Sequence, residues 1–169
     1  ARGSRPTGPA PGHRRGDQGA PAAAPPKLLQ AKQAADLHTP GFNQRMVHEV
    51  LADGFLDRHV PTIRTLYRQQ KDAMLAALER EFTGLDVSWT RPEGGMFLWL
   101  RLPPGLDSLE LLDAAVDAGV AFVPGAAFFA DRPDPRTLRL SYVTSTTDQI
   151  DTAIARLAGL VRARVPSAA

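Results

Sequence analysis

The stretch that most constrains this chain is residues 90–103, TRPEGGMFLWLRLP. A turn built from Pro92, Glu93, Gly94 and Gly95 runs directly into Met-Phe-Leu-Trp-Leu, which Arg101 closes. The two glycines admit backbone angles, or a close backbone approach, that a Cβ forbids. The apolar run that follows has to be buried, and it reads as a strand covered on one or both faces. Residues 120–124 and 138–143 have the composition and length to pair beside it.

The segments around this strand read mainly as helix. Order is expected to start near Pro26, a residue suited to a first helical turn, with good helix formers through His38. The His38-Thr-Pro-Gly run breaks that helix. Asn43 is placed to cap a second one, carrying Met46, Val47, Val50 and Leu51 at helical spacing, with Gly54 as its stop. A long helix is predicted from about Pro61 to Phe82, with Ile63, Leu66, Tyr67, Met74, Ala77, Leu78 and Phe82 on one face. Residues 85–90 alternate as a strand and should form an antiparallel hairpin with 96–102. Asp107 and Glu110 make a capping-box-like start to a helix over 108–118, which Gly119 ends. Strands over 120–124 and 137–143 follow. Thr146 and Gln149 then cap a terminal helix whose stripe is Ile150, Ile154, Leu157, Val161 and Val165, with Arg156, Arg162 and Arg164 suited to its negative end. The sum is an α+β arrangement, a small antiparallel or mixed sheet covered by helices.

Residues 1–26 differ from all of this. They are mostly Gly, Pro, Ala and Arg, without an aromatic or branched aliphatic side chain, so on composition alone they are expected to be disordered. The remainder is apolar enough for a core, since 43% of the 169 residues are hydrophobic. A formal net charge of +2 argues for neither a nucleic-acid nor a membrane partner. The absence of cysteine excludes disulfides, a thiolate nucleophile and Cys-ligated zinc. No apolar stretch reaches the length of a membrane span and no secretory signal is legible, which makes cytoplasmic the expected location.

Few residues suggest chemistry by themselves. His13, His38, His48 and His59 stand at no metal-ligand spacing, and neither a Gly-x-Ser-x-Gly elbow nor a Gly-Lys-Ser/Thr phosphate loop occurs. Glu93 reads as solvated. Trp89 and Trp99 read as core, and Tyr67 and Tyr142 as core-edge residues with wet hydroxyls. Arg139 is different, a lone charge inside the strand-like LRLSYV. A guanidinium there needs an anionic partner, because leaving it unpaired and buried costs several kcal/mol. Either a ligand carboxylate gripped by both arms of the fork or an acidic side chain on the exposed sheet face meets that need.

The order of the motifs carries more. HTPGFNQRMV, DRHVPTIRTLYRQQKDAML, PEGGMFLWLRLP, GVAFVPGAAFF and LRLSYV, over about residues 26–165, together resemble the carboxyl-terminal part of class I/II, fold-type-I aminotransferases that use pyridoxal phosphate. The nearest likeness is to the branch with the 2-aminoadipate and kynurenine aminotransferases and the effector domains of MocR-type transcription regulators. The resemblance implies an α/β-superfamily protein, with residues 27–83 as helices of the large domain and an interdomain helix, and 84–169 as the small domain. It implies transfer of an amino group between an amino acid and a 2-oxo acid in a homodimer. Arg139 would hold the substrate α-carboxylate, and Asn43, with Gln44, would lie near the cofactor and the dimer interface.

At the amino terminus the resemblance breaks in one respect. Ala10-Pro11-Gly12, Arg14, Gly16 and Ala20-Pro21 keep register with the family segment that bears the Schiff-base lysine, so Arg14 corresponds to the arginine on the cofactor phosphate. The lysine position is Thr7, which cannot form an imine, and Asp17 and Gln18 replace apolar strand residues. Residues 1–26 are therefore expected to be a degraded remnant of that segment, and the chain a fragment, truncated or disrupted by a frame error and inactive alone. A regulator's effector-domain remnant and a non-catalytic interaction module are the alternatives.

Overall fold

The computed structural model describes residues 24–165. They fall into two compact units, dividing after Phe55. The first contains helices α1 (Ala24–Ala35) and α2 (Gly41–Leu51). Helix α2 begins two residues before the expected cap: Pro40 stands at the N-cap without a side-chain hydrogen bond, and Asn43 is inside the first turn. Proline's fixed φ starts the helix where no capping oxygen is needed. The Gln44 amide closes the turn by donating to the Thr39 carbonyl at 2.8 Å.

The second unit, from Leu56, holds all but the first residue of α3 (Phe55–Glu81), and β1 (Ser88–Trp89), β2 (Phe97–Arg101), α4 (Ser108–Asp117), β3 (Val123–Pro124), a 3-10 turn over Gly125–Phe128, β4 (Thr137–Ser141) and α5 (Thr147–Arg162). Helix α3 starts at Phe55 and carries Pro61 inside it, where proline was expected to open the helix. The Thr65 hydroxyl donates to the Pro61 carbonyl at 3.0 Å in that turn. Its stripe is also used unevenly: Met74, Ala77, Leu78 and Phe82 are buried, whereas Leu66 is exposed.

The strands are antiparallel in the order β1-β2-β4-β3. Strand β4 is β2's long partner, with Trp99 opposite Arg139 and Leu98 opposite Leu140. Strand β3 pairs with β4 and not with β2, so of the two later segments only one lies beside the apolar run. The expected strand over 120–124 shrinks to two residues, with Val120 and Phe122 buried in the core ahead of it. The hairpin forms as expected, although β1 is also only two residues long. Gly95 takes φ of +91° in its turn, the region a Cβ disfavours.

One face of the sheet makes the core. Leu98, Leu100, Leu138 and Leu140 pack with Leu78 and Phe82 of the α3 end, Leu111 and Ala115 of α4, and Ile150, Ile154, Leu157 and Val161 of α5. The opposite face, with Phe97, Trp99 and Arg139, is half-open, so Trp99 is not a core residue, whereas Trp89, opposite Leu100, is partly buried against the core. Strand alternation, not overall apolarity, decides this: a run apolar at every position still has only one face toward the helices.

Helix ends are satisfied across elements. Asp107 accepts from the Leu109 N–H at 2.7 Å, and Thr146 and Gln149 form a reciprocal capping box. The α5 arginines do not all serve their own helix. Arg156 donates to the Ala118 carbonyl at the end of α4, 2.9 Å away, and Arg162 donates to the Glu81 carbonyl at the end of α3. Both cations thus meet carbonyls at the negative ends of neighbouring helices, while Arg164 donates to the Leu160 carbonyl of α5 at 3.1 Å.

Candidate functional site

On its half-open face the sheet presents two guanidinium groups, Arg101, which is paired with Asp134, and Arg139, which is not. Arg139 is the middle residue of β4, flanked by Trp99 on β2 and Val123 on β3. Its Cζ lies 4.1 Å from the centroid of the Phe97 ring and 4.7 Å from that of Phe128. The Phe128 ring in turn meets Trp99 edge-on, with centroids 5.3 Å apart at 89°. Positive charge against the negative ring faces is favourable, by about 0.5–2 kcal/mol. It is not a counter-ion. Among the described residues no acidic side chain pairs with Arg139, and its Nε is buried without a hydrogen-bond partner. Of the two partners left open by the sequence, the acidic neighbour is therefore not the one the structure contains.

The surroundings hold this arrangement firmly. Gly125 opens the 3-10 turn that carries Phe128, and a Cβ there would collide with the Thr137 hydroxyl and come within 2.9 Å of the Thr137 carbonyl oxygen. Only glycine lets the turn lie this close to β4. The entry to β4 is tied by Asp134, which accepts from Arg101 Nε at 2.8 Å and from the Arg136 N–H at 3.1 Å. Burial pushes the Asp134 carboxyl up, but the Arg136 N–H and the Arg101 guanidinium more than offset it and hold the carboxyl below its usual range. Arg136 donates to the Leu102 carbonyl at 2.8 Å, joining this loop to the end of β2.

A second concentration of cations lies elsewhere. Arg64, Arg68 and Lys71 of α3, with Tyr67, Tyr142, Glu93, Gly94 and Gly95, line a cavity of about 210 Å3. Glu93 stands in its wall, and Lys71 is already paired with Asp72 at 3.2 Å, so its charge is partly offset. Tyr142 is 1% exposed and burial pushes its hydroxyl pKa up, a deeper position than the wet core edge expected for it. Because side chains alternate along β4, this cavity is on the helix side of the sheet, away from Arg139.

The remaining site expectations fall in different places. Asn43 lies exposed on α2, in the first compact unit. Thr7 and Arg14 lie outside the described residues. Of the three lysines in the sequence, Lys27 donates to Gln30 at 3.4 Å, Lys32 donates to the Asp36 and Leu37 carbonyls, and Lys71 sits in the helix-side cavity. The Arg139 guanidinium, without an acidic partner, has the chemistry to take a carboxylate, whereas each of the three lysine amines is already held by a hydrogen bond or ion pair. Sequence reading missed Phe97 and Phe128. Their signal was the position of Phe two residues after the glycine pair and again in the VPGAAFF segment, but ring-to-cation contact needs the β2–β4 register to be known.

Comparison with known proteins agrees with the fold and the motif order. The family profile described as aminotransferase class I and II matches residues 23–157. The 2-aminoadipate transaminase of Thermus thermophilus is 50% identical over 131 residues, covering 78% of this chain and 32% of that protein. Aromatic-amino-acid aminotransferase 1 of Thermococcus litoralis is 46% identical over 136 residues, covering 80% of this chain and 32% of the relative. Among solved structures, the α-aminoadipate aminotransferase of Thermus thermophilus, complexed with N-(5'-phosphopyridoxyl)-L-leucine, superposes with a TM-score of 0.71 at 47% identity, covering 83% of this chain and 36% of its own. The chain thus spans about a third of the length of the relatives it matches.

Proposed function

This chain belongs to the class I and II aminotransferases, a family whose members use pyridoxal phosphate, and we propose that it forms the carboxyl-terminal portion of an enzyme moving an amino group between an amino acid and a 2-oxo acid. In this reading Arg139 takes the substrate α-carboxylate, both arms of its fork donating to the two oxygens. The observation that carries it is the guanidinium held against two rings on an open sheet face with no acidic partner. Residues 84–169 form the small domain, and Asn43 and Arg14 belong to the cofactor side. The cofactor supplies the electron sink for the carbanion at the substrate Cα. This chain's own part is to fix the carboxylate, and with it the orientation of the Cα bonds. With Thr7 at the lysine position, this chain alone does not supply the imine-forming amine. The complete enzyme is a homodimer and cytoplasmic.

A chimera tests the reading. Residues 24–165 replace the matching segment of the Thermus thermophilus 2-aminoadipate transaminase, whose own lysine is retained. A transaminating chimera in which Arg139→Gln lowers kcat/KM roughly 100-fold, as loss of a charged hydrogen-bond pair predicts, supports it. A folded chimera that binds pyridoxal phosphate but does not transaminate, or whose activity survives Arg139→Gln, overturns it.

A further inference from the structure

Resting on the reading of Arg139 as the carboxylate site, we propose that Phe128 and Phe97 are positioning residues that set the plane of its guanidinium and close its Nε edge, so that a carboxylate is taken end-on by the two Nη groups. Three observations converge. Both ring centroids lie within 4.7 Å of Cζ, so rotation of the guanidinium plane is opposed by ring contact. The Nε is covered and has no partner, although Arg139 as a whole is only half-buried, which leaves the terminal nitrogens as the end that solvent reaches. Phe128 is itself held, by Trp99 edge-on at 5.3 Å and by the Gly125 turn against Thr137.

The chemistry follows from the shape of the fork. A free arginine offers a carboxylate two bidentate edges, one through Nε with one Nη and one through both Nη groups. Covering Nε removes the first. An anion bound through both Nη groups lies along the side chain's long axis, and its substituent is aimed away from the sheet. Phe128 sits on a short turn and is 49% exposed, while Phe97, on β2, is 38% exposed. Phe128 is the ring whose removal opens Nε without disturbing the strand ladder.

The test uses the 169-residue chain, with nitrogen-15 in its arginines and pyruvate as the probe. Without ligand, the Arg139 Nε–H should exchange with water at least about tenfold more slowly than the exposed Arg91 Nε–H, and Phe128→Leu should abolish that difference, whereas Phe128→Tyr retains it. Pyruvate should shift the Nη resonances more than Nε, and bind Phe128→Leu roughly three- to tenfold more weakly, with recovery in Phe128→Tyr. Nε exchange unchanged in Phe128→Leu, or a pyruvate response centred on Nε, overturns the positioning role. Pyruvate binding that is absent, or that persists in Arg139→Gln, overturns instead the reading of Arg139. Slow Nε exchange that Phe128→Leu abolishes supports the ring contact even where pyruvate does not bind.

Discussion

Arg139 and Gly125 carry the tightest constraints on single side chains. Arg139→Lys keeps the charge but loses the planar fork and its stacking on two rings, so carboxylate binding should fall nearly as far as with Gln. Isothermal titration with a 2-oxo acid, run on the chimera, checks this; retained affinity would mean that charge alone suffices. Gly125→Ala forces the Phe128 turn away from Thr137 and should cost about 1–3 kcal/mol, seen as a lower denaturant midpoint. Trp99 fluorescence should change with it, because the Phe128 edge contact moves. The arginine was visible as a lone charge in an apolar strand. Its aromatic surroundings were not, since Phe97, Phe128 and Arg139 are far apart in sequence and meet only through strand pairing and a turn.

At the scale of elements, caps were legible because capping is local. Thr146→Ala removes the side-chain half of the box on α5, the acceptor for the Gln149 N–H, and should destabilise the chain by about 1 kcal/mol in urea unfolding. Helix starts that depend on proline were misplaced, as at Pro40 and Pro61, because proline serves both as a first-turn residue and, at a cost, inside a helix. Strand lengths were overestimated at both sheet edges for a different reason. Alternation indicates which residues could pair, whereas partners decide how many do, and β1 and β3 each have a neighbour on one side only. The Asp134 loop ties the end of β2 to the entry of β4 and adds a pH dependence. Its carboxyl is held below the ordinary value of 3.8, so the stability it contributes is present above pH 4 and is lost as pH falls through the lower folded value. Thermal unfolding from pH 5 down to pH 2.5 should therefore show a smaller loss for Asp134→Asn than for the unaltered chain; equal slopes would remove Asp134 from the account.

At the scale of the whole second unit, α3, α4 and α5 pack on one side of a four-stranded sheet and leave the Arg139 face half-open within that unit. Incubated with pyridoxal phosphate, the chain should yield no borohydride-reducible adduct at an active-site amine, in line with Thr7; a stoichiometric reduced adduct on Lys27 or Lys32, found by peptide mass spectrometry, would show that another lysine has taken that part. By itself, the sequence determined the element types, the hairpin, the terminal caps, the family and the arginine, because helical period, strand alternation, capping and motif order are written in neighbouring residues. Only the tertiary structure decided that β4 and not β3 lies beside the apolar strand, that α5 arginines cap α3 and α4, and that two phenylalanines enclose the guanidinium. Those outcomes depend on which surfaces meet, and contacts between residues distant in the chain are settled by burial and register together.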